Sequence, residues 1–230
     1  MIMPVTNFFQ KKRKKHSRPE KNLKEQLRIL IVCEGAKTEP NYFKAFRTEG
    51  PLSALEVIGL GKNTLSLVKD AVDRKKQAKV DKEDFDEVWC VFDRNSFDQE
   101  NVNLAFDTAN KNQIKIAFSN EAFELWYLLH FSYYDSSLSR NQYQDKLTEL
   151  LKFKYEKNMK DIYFHLINLQ INAINNAKKL LGKYYNEPNP INHPEVETRT
   201  LTSVLNHNPC TTVHELVEVL NDELKKTRFT

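Results

Sequence analysis

The sequence lacks the patterns that would commit it to a zinc site, a membrane or a nucleotide cofactor. Its three cysteines are far apart, with no Cys-x-x-Cys pair and no Cys/His spacing typical of zinc. We recognise no signal peptide and no apolar stretch long enough to span a bilayer, so a cytoplasmic protein without a membrane partner is expected. The phosphate-binding Gly-x-Gly-x-x-Gly and Walker A loops are absent, as is the Gly-x-Ser-x-Gly of many hydrolases. Zinc chemistry, loop-bound nucleotides and a serine nucleophile elbow are therefore disfavoured.

The positive charge of the chain is concentrated near its beginning. The formal net charge is +4, but residues 1–28 alone carry +7, which leaves −3 for residues 29–230. Within this region a run of like charges comprises Lys11, Lys12, Arg13, Lys14 and Lys15. Such runs repel one another and stay solvated, so residues 1–27 are predicted to form a poorly ordered basic tail. Two interpretations stay open: an arm that contacts nucleic-acid phosphates, or a solubilising extension.

Residues 28–131 alternate short apolar runs with helical patterns. Strands are predicted at 29–32, 55–60, 88–92 and 114–118, and the unbroken apolar runs 29–32 and 88–92 are typical of strands covered on both faces. Helices are predicted between and after them, at 39–48, 64–79, 101–112 and 121–131. This order predicts a four-stranded, mainly parallel, doubly wound sheet.

Residues 132–230 change in character and predict a helical carboxyl-terminal region. The predicted helices are 141–152, 158–181 and 213–224, and the last of them can pack back on the sheet. Three threonines are predicted to cap helices: Thr38, Thr64 and, in a capping box with Glu215, Thr212. Gly35 is expected to permit a tight turn after the first strand.

Acidic side chains follow the predicted strands. Glu34 ends the first strand and Asp93 the third, with Asn95 two residues later, and Glu121 and Glu124 begin the helix after the fourth. The carboxyl ends of parallel strands lie at one edge of a sheet, where α/β proteins place their ligands. We rank Glu34 and Asp93 first, then Glu124, then Asn95; Glu121 and Asp98 come last, as an ordinary helix-start acid and an ordinary loop acid.

Carboxylates gathered without basic partners need a cation or a proton in order to coexist. Magnesium, or manganese in its place, suits one or two carboxylates plus a substrate phosphate. Such a site can activate water against a phosphodiester. Lys37, two residues after Gly35, is placed to contact that phosphate.

Four segments resemble those of the RloB-like (AbiLii-type) proteins. They are residues 32–43 (Val-Cys-Glu-Gly-Ala-Lys-Thr-Glu-Pro-Asn-Tyr-Phe), 88–95 (Val-Trp-Cys-Val-Phe-Asp-Arg-Asn), 119–131 (Ser-Asn-Glu-Ala-Phe-Glu-Leu-Trp-Tyr-Leu-Leu-His-Phe) and 208–213 (Asn-Pro-Cys-Thr-Thr-Val). The likeness covers nearly the whole chain after the tail, and the first and third segments are long and specific.

The resemblance implies a Toprim-like fold and a role in phage defence by abortive infection, often beside an AAA/ABC-type ATPase. In Toprim sites a Glu after the first strand acts as acid/base or metal ligand, which corresponds to Glu34. An Asp-x-Asp after a later strand holds magnesium, and it corresponds to Asp93 and Asn95, so one charge is missing here. Two hypotheses lead: a metal-dependent nuclease on DNA, RNA or tRNA, or a degenerate module that binds nucleic acid or a partner ATPase. A third is a nucleotide-binding sensor at the same strand ends. The sequence leaves the oligomeric state open.

Overall fold

The computed structural model describes residues 27–50, 52, 55–61, 63–93, 99–186 and 207–228. Its sheet has five strands in the order β2-β1-β3-β4-β5. Strands β1 to β4 pair in parallel, and β5 pairs antiparallel with β4. The strands are β1 Ile29–Cys33, β2 Leu55–Gly59, β3 Glu87–Asp93, β4 Lys115–Asn120 and β5 Cys210–Thr211.

Helices connect the parallel strands and form most of the carboxyl-terminal half. They are α1 Thr38–Glu49, α2 Thr64–Val80, α3 Gln99–Lys111, α4 Glu124–Phe131, α5 Arg140–Leu151, α6 Ile162–Leu166, α7 Gln170–Asn186 and α8 Val213–Arg228. A 3₁₀ turn, Ile167–Leu169, joins α6 to α7. No described helix is both long and apolar enough to cross a membrane.

The helices cover the sheet on both faces. The chain steps from β1 to β2 in one direction and then reverses to reach β3. Because parallel crossovers are right-handed, this reversal places α1 on one face and α2 and α3 on the other. Aromatic contacts hold α1 to α4: the buried Tyr42 ring lies 6.0 Å from Phe123 and 5.7 Å from Tyr127. The mixed α/β fold and the parallel order of the first four strands are confirmed.

The sheet contains a fifth strand, β5, that the sequence did not predict. The backbone N–H of Thr212 donates to Phe118 O (2.8 Å), and the Thr212 hydroxyl accepts from the Phe118 N–H (2.9 Å). The predicted capping box is therefore wrong, because that hydroxyl serves the sheet edge instead of α8. The prediction that the last helix returns to the sheet is confirmed, since α8 packs on β4. The division of the chain at residue 131 stays a prediction.

Several helix boundaries differ from the sequence prediction. Helix α4 begins at Glu124, so Glu121 lies in the preceding turn and is not a helix-start acid. The helix predicted at 158–181 is in fact α6, a 3₁₀ turn and α7, and residues 158–161 are not helical. Asn63, not Thr64, caps α2, through the Ser66 N–H.

Candidate functional site

The turn between β1 and α1 forms one wall of the site. The Glu34 N–H donates to Val91 O (2.8 Å), and Glu34 O accepts from the Gly61 N–H (2.7 Å). These bonds continue the sheet pairing one residue beyond β1 and fix the backbone that carries the Glu34 side chain. An added Cβ at Gly35 would collide with the Glu39 carboxylate, the far end of a flexible side chain, which would have to shift. Glycine at this position therefore leaves the carboxylate in place, beside permitting the turn expected from the sequence.

Four carboxylates line a single cavity of about 350 Å³ at the carboxyl edge of the sheet. They are Glu34 after β1, Glu39 in the first turn of α1, Asp93 at the end of β3 and Glu124 at the start of α4. Glu34, Glu39 and Glu124 are buried, with 8%, 5% and 2% of their surface exposed. Three basic side chains complete the wall: Lys37, Arg140 and Lys157. The cavity therefore combines a concentrated negative charge with a basic rim.

The pKa of Glu34 is raised more than the pKa of Glu39. The pKa of Glu34 is raised to about 8, first by loss of hydration and then by the neighbouring charges of Asp93 and Glu39. A hydrogen bond with the Asp93 backbone and the charge of Arg140 act in the opposite direction. One carboxyl oxygen, Glu34 Oε2, is buried without a hydrogen-bond partner. Glu34 therefore holds a proton at neutral pH and keeps one buried oxygen without a hydrogen-bond partner.

The pKa values of two neighbouring acids are also raised. Burial raises the pKa of Glu39 to about 7, opposed by hydrogen bonds from the backbone of Glu39 and Gly35 and reinforced by the charges of Asp93 and Glu124. Burial raises the pKa of Asp93, and Arg140 opposes this shift. Like charges in a poorly hydrated cavity cannot all ionise without cost, so this cluster attracts protons or cations.

Arg140 connects the carboxyl-terminal helices to the cavity. Its Nη2 donates to Asp93 Oδ1 (3.1 Å) and to the backbone Glu121 O (3.3 Å), and its Nε lies 3.8 Å from Glu121 Oε1. Arg140 opens α5 directly after Ser139, whose side chain forms a capping box with Gln142. A capped helix start thus holds a guanidinium group against the strand-end aspartate.

Glu124 has two partners from the segment between α5 and α6. The Tyr155 hydroxyl donates to Glu124 Oε1 (3.2 Å), and Lys157 Nζ lies 3.7 Å from the same oxygen. Tyr155 is buried, whereas 44% of the Lys157 side chain is exposed. The glutamate is therefore compensated from one side and still lines the cavity.

Two side chains of α1 hold this same segment in place. The Thr38 hydroxyl donates to Lys157 O (2.9 Å), so Thr38 does not cap its own helix as predicted. Asn41 Nδ2 donates to Asn158 O (3.2 Å) and Met159 O (3.1 Å). The carbonyl groups of residues 157–159 are thus bound across the chain, which explains why the predicted helix does not start there.

The structure brings together most of the residues selected from the sequence. Glu34, Lys37, Asp93 and Glu124 all line the cavity. Asn95, Asp98 and the basic residues 11–15 lie outside the described residues. Glu121 stands beside Arg140 and is not among the residues that line the cavity.

Sequence reasoning missed four residues of the site. Glu39 lies in the first motif, five residues after Glu34, and could have been found there as a second acid. Arg140, Tyr155 and Lys157 come from helical and loop segments far from the strand ends. Nothing local in the sequence marks these three residues.

The donor chemistry of the cavity suits a hard divalent cation. Carboxylate oxygens are ligands of Mg²⁺, which needs only one or two of them and keeps several waters. Asp93 and Glu124 line the cavity beside Glu34, whose proton a bound cation would displace. Within the described ranges, no group of three or more His, Cys, Asp and Glu side chains is arranged to hold a metal. The residues therefore fit a cation held by one or two carboxylates, and not a closed protein cage.

Comparison with known proteins identifies the family. No curated protein and no solved structure matches the chain. The family model described as RloB-like protein matches residues 29–220, which include the five described strands, the four carboxylates and the first half of α8. Since this match spans well over half of the 230 residues, the chain belongs to the RloB-like family.

Proposed function

We propose that this protein is a metal-dependent phosphodiesterase that cleaves nucleic acid. The observation that carries the proposal is the single cavity in which Glu34, Glu39, Asp93 and Glu124 meet a rim of Lys37, Arg140 and Lys157. Acids that share a poorly hydrated space favour a cation, and lysine and arginine at its rim favour a phosphate. Phosphodiester cleavage needs both.

The environment of each cavity residue determines its proposed role in cleavage. Glu34, with its pKa near 8, holds a proton at neutral pH and can exchange it with the attacking water or the leaving oxygen. Asp93 and Glu124 supply carboxylate oxygens for Mg²⁺ or Mn²⁺, with Asn95 as a further ligand expected from the sequence. When bound, the metal would supply an activated water and neutralise charge on the phosphate. Lys37 contacts the phosphate from the α1 side of the cavity.

The biological setting of the proposal comes from the family. Membership of the RloB-like family, together with the strand-end Glu34 and Asp93, supports a Toprim-like arrangement of the first four strands. It also supports a role in antiphage defence of the abortive-infection type, acting with an AAA/ABC-type ATPase. Phage plating on cells that express the protein with its neighbouring genes tests this role, and equal plating with and without it would refute it.

Cleavage is tested with purified protein, Mg²⁺ or Mn²⁺, and separate DNA, RNA and tRNA substrates. We expect cleavage that chelation abolishes and that Glu34→Ala removes. Glu56→Ala truncates an exposed glutamate on β2, away from the cavity, and should leave cleavage intact. Absence of cleavage on every substrate, with the partner ATPase added, would refute the nuclease.

The ion pair between Arg140 and Asp93 favours a second candidate, a module that binds nucleic acid or an ATPase without cleaving. An arginine 3.1 Å from the strand-end aspartate neutralises a charge that the metal would use. This candidate predicts that Arg140→Gln strengthens Mg²⁺ binding in calorimetry while no substrate is cleaved. Cleavage by the unmodified protein would exclude it.

A further inference from the structure

Residues 152–165, which we call the ledge, carry the most concentrated exposed basic charge beside the cavity. Lys152, Lys154, Lys157 and Lys160 fall within nine residues, and all four are exposed. The ledge also holds two acids: Glu156, which pairs with Lys154 at 3.2 Å, and Asp161, whose Oδ2 lies 3.4 Å from His165 Nε2. Exposed pairs of this kind are weak, so the lysines stay available to an anionic partner.

The ledge is fixed relative to the cavity. Thr38 and Asn41 of α1 bind its carbonyl groups, and Tyr155 anchors it from inside through Glu124. Lys157 itself lines the cavity. The other three lysines lie on the same ordered segment, each within five residues of Lys157, and are exposed to bind further phosphates of a single chain.

The ledge also carries two exposed aromatic side chains. Phe153 and Phe164 are 36% and 50% exposed, and they are two of the five large hydrophobic side chains exposed on the described part of the protein. The Phe153 ring lies 4.8 Å from the His165 ring, which supports it from one side. Unpaired bases stack on exposed aromatic rings that lie beside lysines. The bases inside a duplex are already stacked on one another, so they are not accessible to such a ring.

We propose that the ledge binds single-stranded nucleic acid, with lysines on its phosphates and a base stacked on Phe153, and leads the strand into the acidic cavity. What happens in the cavity rests on the proposed function, whereas binding by the ledge does not. A lysine-rich surface that is merely solvated would show neither the aromatic dependence nor the preference for single strands.

Binding is measured by fluorescence anisotropy with the full chain in EDTA, so that no cleavage intervenes. The probes are a labelled single-stranded DNA oligonucleotide and the same sequence as a duplex, each titrated over a range of salt concentrations. One variant is K152A/K154A/K160A, which spares Lys157. Its matched control, K69A/K76A/K79A, removes three exposed lysines of α2 on the opposite face of the sheet. Phe153→Ala and Phe153→Tyr test stacking, and thermal unfolding confirms that each variant is folded.

We expect K152A/K154A/K160A to lower the slope of log affinity against log salt by about 2 for the single strand, at about 0.7 per phosphate contact. The control should keep the slope of the unmodified protein. Phe153→Ala should weaken single-strand binding by about fivefold to a hundredfold and leave duplex binding unchanged, because a stacked base is lost. Phe153→Tyr should bind as the unmodified protein does.

A slope that falls equally in the control, equal affinity for duplex and single strand, or no effect of Phe153→Ala would overturn the proposal. The outcome is separable from that of the nuclease. Ledge-dependent binding, without cleavage of any substrate in Mg²⁺ and with the partner ATPase added, would support the ledge and refute the phosphodiesterase. Cleavage with unchanged binding in the ledge variants would do the reverse.

Discussion

Replacing Glu34 with glutamine should remove the pH dependence that this buried acid imposes on stability. Its pKa is about 8 in the folded protein and near the ordinary value of 4.5 in the unfolded chain. Below pH 4.5 both states are protonated and burial costs nothing. As the pH rises the unfolded chain releases its proton while the folded protein keeps it, so the free energy of unfolding falls until the pH passes about 8. Glutamine keeps the shape of the neutral acid and does not titrate.

The size of the effect follows from the shift. Moving a pKa from 4.5 to about 8 corresponds in full to about 5 kcal/mol. The cavity admits solvent, which screens the charges, so we expect about 2 to 3 kcal/mol to be realised. Glu34→Gln should therefore match the unmodified protein near pH 4.5 and exceed its stability by that amount above pH 8. Part of the gain is relief of the repulsion from Asp93 and Glu39.

Urea unfolding measured across this pH range, in the presence of EDTA, provides the assay. Glu56→Gln on β2 is the control, because it removes an exposed carboxylate without touching the cavity. Its stability relative to the unmodified protein should not change with pH. A Glu34→Gln difference that is equally flat would refute the reasoning, since Glu34 would then titrate alike in both states.

Three further changes test the contacts around the site. Tyr155→Phe removes a hydrogen bond to the buried Glu124 and should lower the free energy of unfolding by about 2 kcal/mol at neutral pH; an unchanged urea midpoint would contradict the bond. Asn41→Ala removes the donor to two carbonyl groups of the ledge and should lower the free energy of unfolding by about 1 to 2 kcal/mol. It should also speed proteolysis within residues 152–161. An unchanged rate of proteolysis there would show that the ledge does not depend on Asn41. Deleting residues 1–26 spares Leu27, whose N–H donates to Glu223. The deletion should weaken nucleic-acid binding and flatten its salt dependence. Unaltered binding would show that the tail does not contact nucleic acid.

The sheet could be predicted from the sequence because its signals are local. The unbroken apolar runs of β1 and β3 are what strands covered on both faces require, and both strands are buried almost throughout. Parallel pairing then brings Glu34 and Asp93 to one edge without further information. The same reasoning places Glu124, since α4 begins just after β4. Three of the four carboxylates of the cavity are thus consequences of strand order.

The remaining parts depend on contacts that no local pattern records. Strand β5 has two residues, and the bonds of Thr212 to Phe118 that hold it join positions far apart in the chain. Arg140 reaches Asp93 from a helix whose own sequence signals only its cap. Residues 158–161 were expected to be helical, but Asn41 binds two of their carbonyl groups instead. In each case a distant side chain satisfies a backbone or charged group that local reasoning assigned to its own neighbours.

These distant contacts explain further residues of the first motif, residues 32–43. Glu34 and Glu39 place acids in the cavity, and Gly35 makes room for the second of them. Thr38 and Asn41, which looked like ordinary residues of a helix start, bind the backbone of the ledge. A single strand–turn–helix segment therefore supplies the acidic chemistry and fixes the basic surface beside it. A change in α1 that releases the ledge should alter nucleic-acid binding while leaving the Glu34 titration in place, and this separates the two roles of the motif.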